Sequence, residues 1–131
     1  MKGFVDDIEK LTKDNRDFRR VLYTGKHMQL VLMTLKPGEE IGAEVHEGHD
    51  QFLRFEEGEG EVVIDGTTHK VEDDFAVIVP AGARHNVVNT GDSPLKLYTL
   101  YGPPEHRLDV VHPDKPAAES DEEHFDGRTT E

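Results

Sequence analysis

The segment Pro80-Ala81-Gly82-Ala83-Arg84-His85-Asn86-Val87-Val88-Asn89 decides the fold of this chain, because it joins a Pro-x-Gly turn to a short β-rich run that opens with histidine. An upstream segment, Glu44-Val45-His46-Glu47-Gly48-His49-Asp50-Gln51, carries two more histidines. Side chains two positions apart on a strand leave the same face, so Glu44 and His46 are expected to point the same way. Antiparallel pairing of these runs would gather imidazole, carboxylate and amide groups on one inner face.

From Phe18 onward the sequence is a series of short β-rich runs separated by turn residues, and no helix-length periodic segment interrupts them. Strands this short, with turn signals this regular, are typical of a sandwich or barrel. The dipeptide Asp65-Gly66 predicts a two-residue hairpin that places Glu61 opposite Lys70. The predicted strands cover residues 19–24, 28–35, 39–46, 51–55, 61–64, 67–71, 75–79, 85–89 and 95–101.

Four side chains in these runs form a candidate metal-binding set, namely Glu44, His46, Gln51 and His85. Imidazole nitrogen together with carboxylate and amide oxygen suits a borderline divalent metal such as Fe, Mn, Ni, Cu or Zn. Spacing alone leaves a second interpretation open, because isolated histidines are commonly exposed or hydrogen-bonded residues.

The two segments resemble the two signature motifs of the cupin superfamily, whose members are small β-barrels that hold one metal ion among histidines. The downstream motif matches at Pro80, Gly82, His85 and Asn89, and Asp74 stands where its leading glycine is usual. The resemblance covers roughly residues 28–101. It implies an all-β fold, the double-stranded β-helix or jelly-roll-like barrel of the single-domain RmlC-like cupins. It also implies that His85 is a metal ligand and that Asn89 has a structural part.

The upstream motif departs from the cupin pattern at two positions. Counting back from Gly58 places Gln51 at the usual glutamate, His46 at the second histidine and Glu44 at the first. The resemblance therefore implies one divalent transition metal held by His46, Gln51, His85 and Glu44. His49 is the alternative ligand, in place of Glu44 or Gln51. An amide is a poorer metal ligand than a carboxylate. Two alternatives therefore stay open: the metal is bound more weakly, or Gln51 only lies near it.

Three segments are predicted along the chain. Residues 1–17 form an N-terminal arm or short helix, residues 18–104 the barrel, and residues 105–131 an acidic tail or arm. The first segment has apolar residues at helical spacing, at Phe4, Ile8 and Leu11.

The last segment carries nine acids against three bases, and we interpret it as a solvated, partly disordered tail. Truncation after His112 is then expected to leave thermal stability nearly unchanged. The alternative is an extended arm that lies on the barrel, with His106 reaching the barrel mouth. That arm would be pinned by Leu108, Val110, Val111 and Phe125.

Composition limits the partners of the protein. The formal charge of −13 argues against nucleic acid, which requires a basic footprint. The absence of cysteine excludes disulfides and thiolate ligands. No apolar run approaches the length of a membrane helix, and the N-terminus lacks the apolar core of a secretory signal, so the cytoplasm is the expected location.

Residues 28–35 are apolar on both alternating faces, which predicts cover by a second subunit and hence a homodimer.

Three functions follow from these features. The first is a metal-dependent enzyme acting on a small polar molecule, with sugar-isomerase-like or dioxygenase-like chemistry, both of which single-domain cupins carry out. The second is a non-catalytic cupin that binds a small ligand with the metal as anchor. The third is a metal-free structural barrel. Glu44 or a histidine of the last segment could supply a base. Tyr98 and Tyr101 are interpreted as packing residues, with a place in the cavity as the alternative.

Overall fold

The fold consists of two antiparallel sheets that face each other, as described by a computed structural model of residues 1–131. The helices are α1 (Ile8–Asp14) and α2 (Lys115–Ser120). The strands are β1 (Arg19–Thr24), β2 (Gln29–Leu35), β3 (Glu44–Val45), β4 (Asp50–Glu57), β5 (Gly60–Ile64), β6 (Thr67–Val71), β7 (Ala76–Val79), β8 (Arg84–Asn89), β9 (Leu95–Gly102) and β10 (Val111–His112). Neither helix has the length and apolar character needed to cross a membrane.

The strand order is that of a double-stranded β-helix, which confirms the predicted all-β barrel. One sheet has six strands in the order β10-β1-β2-β9-β4-β7, and the other has four in the order β3-β8-β5-β6. The predicted hairpin is also confirmed, because β5 pairs with β6 so that Glu61 lies opposite Lys70. From β2 to β9 the chain crosses between the sheets at every step except the β5–β6 hairpin, which brings residues far apart in the sequence to one interior.

The core lies between the inner faces of the two sheets. Its largest fully buried side chains include Phe55, Met33, Leu53 and Leu97. Burying a side chain of this size contributes about 1.5–3 kcal/mol relative to leaving it in water. Apolar packing therefore holds the sheets together around a polar patch at one end, where the candidate metal ligands lie.

The outer face of β2 is covered within the chain itself. Its outward residues Leu30 and Leu32 are only 9% and 2% exposed. Helix α1 packs against β2, β4 and β9, and Phe4 contacts the ring of Tyr23. The N-terminal segment therefore accounts for the two-sided apolar pattern that suggested a second subunit. The homodimer stays a prediction.

The C-terminal segment differs from the solvated tail expected for residues 105–131, because it forms a packed arm. Strand β10 extends the six-stranded sheet by pairing with β1. His106, His112 and Glu123 are buried, with exposures of 7%, 3% and 9%. The arm ends against β1, where the Thr130 amide donates to the carbonyl of Thr24.

Buried polar contacts, together with the predicted anchor Val110, which is 5% exposed and belongs to the apolar core, explain why an acidic segment is ordered. Glu123 accepts from the Nδ1 atom of His106 at 2.9 Å and from the Arg107 amide at 2.8 Å. His112 contacts Asp121 at 3.0 Å. Hydrogen bonds to charged groups contribute about 1.5–3 kcal/mol each. They offset the loss of conformational entropy when the arm becomes ordered, a cost that the composition of the segment alone does not cover.

Truncation after His112 should therefore destabilise the protein. It removes Glu123 and leaves the buried His106 side chain without its partner, so the melting temperature should fall by about 5 °C or more, on the order of 1 kcal/mol for a domain of this size. Calorimetry of the truncated and full chains measures this. Glu119→Ala is the control, because that side chain is 68% exposed in α2 and should change nothing. An unchanged melting temperature in the truncated chain would mean that the arm does not pack.

Candidate metal centre

The two sheets place the predicted ligands beside one another. Strand β3 pairs with β8 so that Glu44 lies directly opposite His85, and cross-strand partners share a face. His46 follows β3 immediately, and its ring lies 5.2 Å from the ring of His85 between centroids. The spacing argument for a common face therefore agrees with the structure for these three residues.

The Pro-x-Gly turn holds the His46 loop in position. Gly82 has a φ of +89°, a conformation that favours glycine, and its amide donates to the carbonyl of His46 at 2.9 Å. Asp74, which stands where glycine is usual, has a φ of +71°, so this position keeps the left-handed conformation that aspartate tolerates. Asn89 is buried and donates to the carbonyls of Leu35 and Ser93, in the structural part that the resemblance implied.

Gln51 lies on the inner face of β4, opposite Tyr101 of β9. It is 4% exposed, and its Nε2 group donates to the hydroxyl of Thr99 at 3.0 Å. Its Oε1 atom is buried and has no hydrogen-bond partner in the chain. Buried acceptors are nearly always satisfied, so this oxygen is an acceptor site for a group that the chain does not supply.

Glu44 and His46 form a direct pair, with Glu44 Oε2 2.9 Å from His46 Nε2. This hydrogen bond raises the pKa of His46 above its ordinary value against the effect of burial. Burial acts to raise the pKa of Glu44, but the hydrogen bond and charge of His46 outweigh it and lower that pKa. No group of three or more His, Asp or Glu side chains is arranged to hold a metal ion in this state.

His49 is engaged outside this set. Its Nδ1 atom lies 2.6 Å from the carbonyl oxygen of Pro103, and its Nε2 atom lies 2.9 Å from a carboxylate oxygen of Glu105. Its ring centroid is 5.9 Å from that of His46. One nitrogen thus contacts the stretch that leads into the C-terminal arm and the other contacts the arm itself, so His49 borders the candidate ligands.

The arm contributes residues to the site that the sequence did not single out as ligand neighbours. Glu105 approaches His46 as well as His49, with an oxygen 3.8 Å from His46 Nδ1. The buried amide of Gln29 fixes this stretch, since its oxygen accepts from the backbone amides of Glu105 and His106. The only sequence signal was that His106 follows two prolines at the end of the last barrel strand.

Tyr101 connects the arm to the candidate ligands. Its ring packs edge-on against both His46 and His106, with centroid distances of 5.9 and 5.3 Å. Burial raises the pKa of its hydroxyl far above the ordinary value, so the phenol stays protonated and can donate. Tyr98, by contrast, contacts Phe52 on the opposite face. The alternative interpretation of a cavity position therefore applies to Tyr101.

A narrow cleft runs between these side chains. It is lined by Glu44, His46, Gln51, His85 and Tyr101, among others, and its centre has space for about one water molecule. Roomier clefts lie beside the loop at Glu59 and Glu72, where no imidazole is present. The narrow cleft is the one whose chemistry matches a metal site.

A comparison of the sequence with known families agrees with this geometry. The profile of the cupin domain family matches residues 31–101, which include all four candidate ligands. The chain belongs to the cupin family.

Relatives of this cupin extend the likeness beyond the barrel. It is 49% identical over 120 residues to the protein YrkC of Bacillus subtilis, covering 87% of this chain and 64% of YrkC, so it spans less than two thirds of that relative. The crystal structure of BH2720 from Bacillus halodurans has 48% identity and a TM-score of 0.90 over 92% of this chain and 96% of that one. A predicted oxalate decarboxylase from Thermotoga maritima has 25% identity and a TM-score of 0.57, covering 59% of this chain and 67% of that one.

The pair formed by His106 and Glu123 predicts a pH dependence of stability. Burial lowers the pKa of His106 below its ordinary value, and this effect exceeds the opposing hydrogen bond from Glu123. The unfolded chain therefore takes up a proton near pH ~6.5 before the folded chain does, so stability is lost as pH falls below that value.

His106→Asn should reduce this loss, because asparagine keeps a donor near the Nδ1 position and does not titrate. Melting temperatures of both proteins between about pH 7 and pH 5 test it, in the range where imidazole titrates. His124→Asn is the matched control, since His124 is exposed in the same arm. Parallel curves for wild type and His106→Asn would contradict the neutral, buried state of His106.

Proposed function

We propose that this cupin binds one divalent transition metal through His46, His85 and Gln51, with Glu44 beside them, and is an enzyme that acts on a small polar molecule. The observation that carries the proposal is the buried Oε1 atom of Gln51, which has no partner and opens on the cleft shared with two imidazole rings.

The donor types fit such an ion. Two imidazoles with amide and carboxylate oxygen suit Fe, Mn, Ni, Cu or Zn rather than magnesium or calcium, which prefer all-oxygen surroundings. The Nε2 atom of His46 now shares a proton with Glu44. Because a ligating imidazole must give up that proton, metal binding would be linked to proton release and would weaken at low pH.

A divalent ion at this position would supply Lewis-acid polarisation of a carbonyl or hydroxyl group, or, if redox-active, oxygen chemistry. The chain's own residues supply the rest. Glu44, whose side chain is 36% exposed, is placed to accept a proton from a bound molecule. Tyr101 stays protonated and can donate a hydrogen bond into the cleft. Proton transfer of this kind supports isomerase-like chemistry, whereas dioxygenase-like chemistry would depend on the metal identity.

A second candidate function is non-catalytic binding of a small ligand, with the metal as anchor. Two observations favour it over the enzyme. Gln51 replaces a carboxylate that would otherwise serve as a base, and Glu44 is already paired with His46. The same ligand set supports both functions, so metal retention is the first property to measure.

The double variant His46→Ala, His85→Ala should lose bound metal while the barrel stays folded. Metal analysis of protein purified without added metal gives the stoichiometry, and circular dichroism reports on the fold. His69→Ala is the matched control, because His69 is an exposed strand residue away from the cleft. Equal metal content in the double variant and wild type would place the site elsewhere.

Gln51→Glu should have opposite effects in the two states of the protein. A carboxylate is a stronger ligand than an amide, so metal affinity should rise by about 10-fold or more. In metal-free protein the new carboxylate would be buried without the charge of the metal, so the melting temperature of the variant should fall. Calorimetry with and without Zn²⁺ measures both effects. If Zn²⁺ stabilises Gln51→Glu no more than wild type, Gln51 does not face the metal.

A further inference from the structure

Arg19 is a cationic side chain on the inner face of the barrel. Strand β1 places it opposite Met33 on one side and His112 on the other, and both partners are almost fully buried. Cross-strand partners share a face, so the guanidinium group points toward the interior from the edge where the C-terminal arm closes the sheet. Nothing in the proposed metal site uses this residue.

One edge of the guanidinium group is held and the other is free. Its Nη1 atom lies 3.2 Å from His112 Nδ1, and His112 is in turn held by Asp121. The Nε atom is buried and has no hydrogen-bond partner. The edge formed by Nε and Nη2 is the fork that pairs with a carboxylate through two parallel hydrogen bonds.

The missing partner is notable because the chain is rich in acids, with a net charge of −13. Arg20, Arg54, Arg107 and Arg128 each contact a carboxylate. Of the arginines in no ion pair, Arg16 and Arg84 are exposed, whereas Arg19 is half-buried. The acids in and around the site each contact a histidine, Glu44 in the cleft lining with His46, and Glu105 and Glu123 of the arm with His49 and His106. A buried charged donor without a partner is costly, which favours an anion supplied from outside the chain.

The charge of Arg19 influences two residues that line the cleft. After burial, its charge is the strongest influence on the pKa of Tyr101, and it acts in the opposite direction. It also helps lower the pKa of Glu44, after the larger effects of burial and of His46. Tyr101 belongs to the six-stranded sheet and Glu44 to the four-stranded sheet, so the guanidinium charge reaches both walls of the cleft.

We propose that Arg19 is the recognition residue for a carboxylate group of the small molecule that this cupin binds, and that the Nε and Nη2 edge holds that group while another oxygen of the molecule faces the metal position. The inference rests on the proposed function only for the contact between the other oxygen and the metal position. The carboxylate contact follows from the Nε atom, which is buried without a hydrogen-bond partner, and from the place of Arg19 on the inner face.

Glycolate tests this proposal, with glycolamide as the neutral molecule of the same shape. Calorimetric titration of Zn²⁺-loaded protein should show glycolate binding about 10-fold or more tightly than glycolamide, the effect expected of a hydrogen bond between charged groups. Arg19→Met should lose this preference, and Arg19→Lys should keep only part of it, because lysine retains the charge without the fork. Arg20→Met is the matched control on the same strand and should behave as wild type.

Failure of the inference and failure of the metal proposal are distinguishable. Equal binding of glycolate and glycolamide by wild type, or an Arg19→Met variant that keeps the preference and its metal, would overturn the role of Arg19 and leave the metal site untouched. If wild type retains no metal, the Arg19 Nε–H resonance in ¹⁵N-labelled protein still decides: it should shift on addition of glycolate and not of glycolamide. The absence of a shift overturns the proposal.

Discussion

The hydrogen bond from the Gly82 amide to the His46 carbonyl is the contact on which the site depends. It ties the Pro-x-Gly turn that precedes one histidine to the loop that carries the other. Gly82 supplies the left-handed conformation that the turn needs, and the pairing of β3 with β8 fixes the distance between the two rings. The apolar core then holds the sheets rigid around this junction, so two imidazoles meet without a connecting helix or disulfide.

The C-terminal arm converts this junction into a closed site. Gln29, buried on β2, holds the start of the arm because its side-chain oxygen accepts from the backbone amides there, and this places Glu105 against His46 and His49. Further along, Glu123 fixes the orientation of His106, whose ring packs on Tyr101. The polar interior is therefore shared between barrel and arm, and an acidic segment becomes part of the site.

The barrel could be predicted from the sequence because its signals are local. Strand runs, the Asp65-Gly66 turn and the Pro-x-Gly turn each act over a few residues, and face alternation then places Glu44 with His85 and His46. The arm could not be predicted in this way. Its order depends on buried pairs between residues distant in sequence, such as Glu123 with His106, while its composition is typical of a solvated tail.

The pairing of Glu44 with His46 was also beyond sequence reasoning, since spacing gives a shared face but not which side chains bond to each other. Arg19 was overlooked for a related reason. An arginine at the start of an edge strand is ordinarily a surface residue, and only the closure of the arm over β1 makes it an interior one.

The most direct test of this account is an anomalous diffraction map from crystals grown with Zn²⁺. The account predicts a single strong peak in the narrow cleft, about 2.0–2.1 Å from a nitrogen of both His46 and His85 and within bonding reach of Gln51 Oε1. Glu44 should then have left the Nε2 atom of His46. A map with no peak in the cleft, or a peak held by His49 and Glu105 instead, would contradict it.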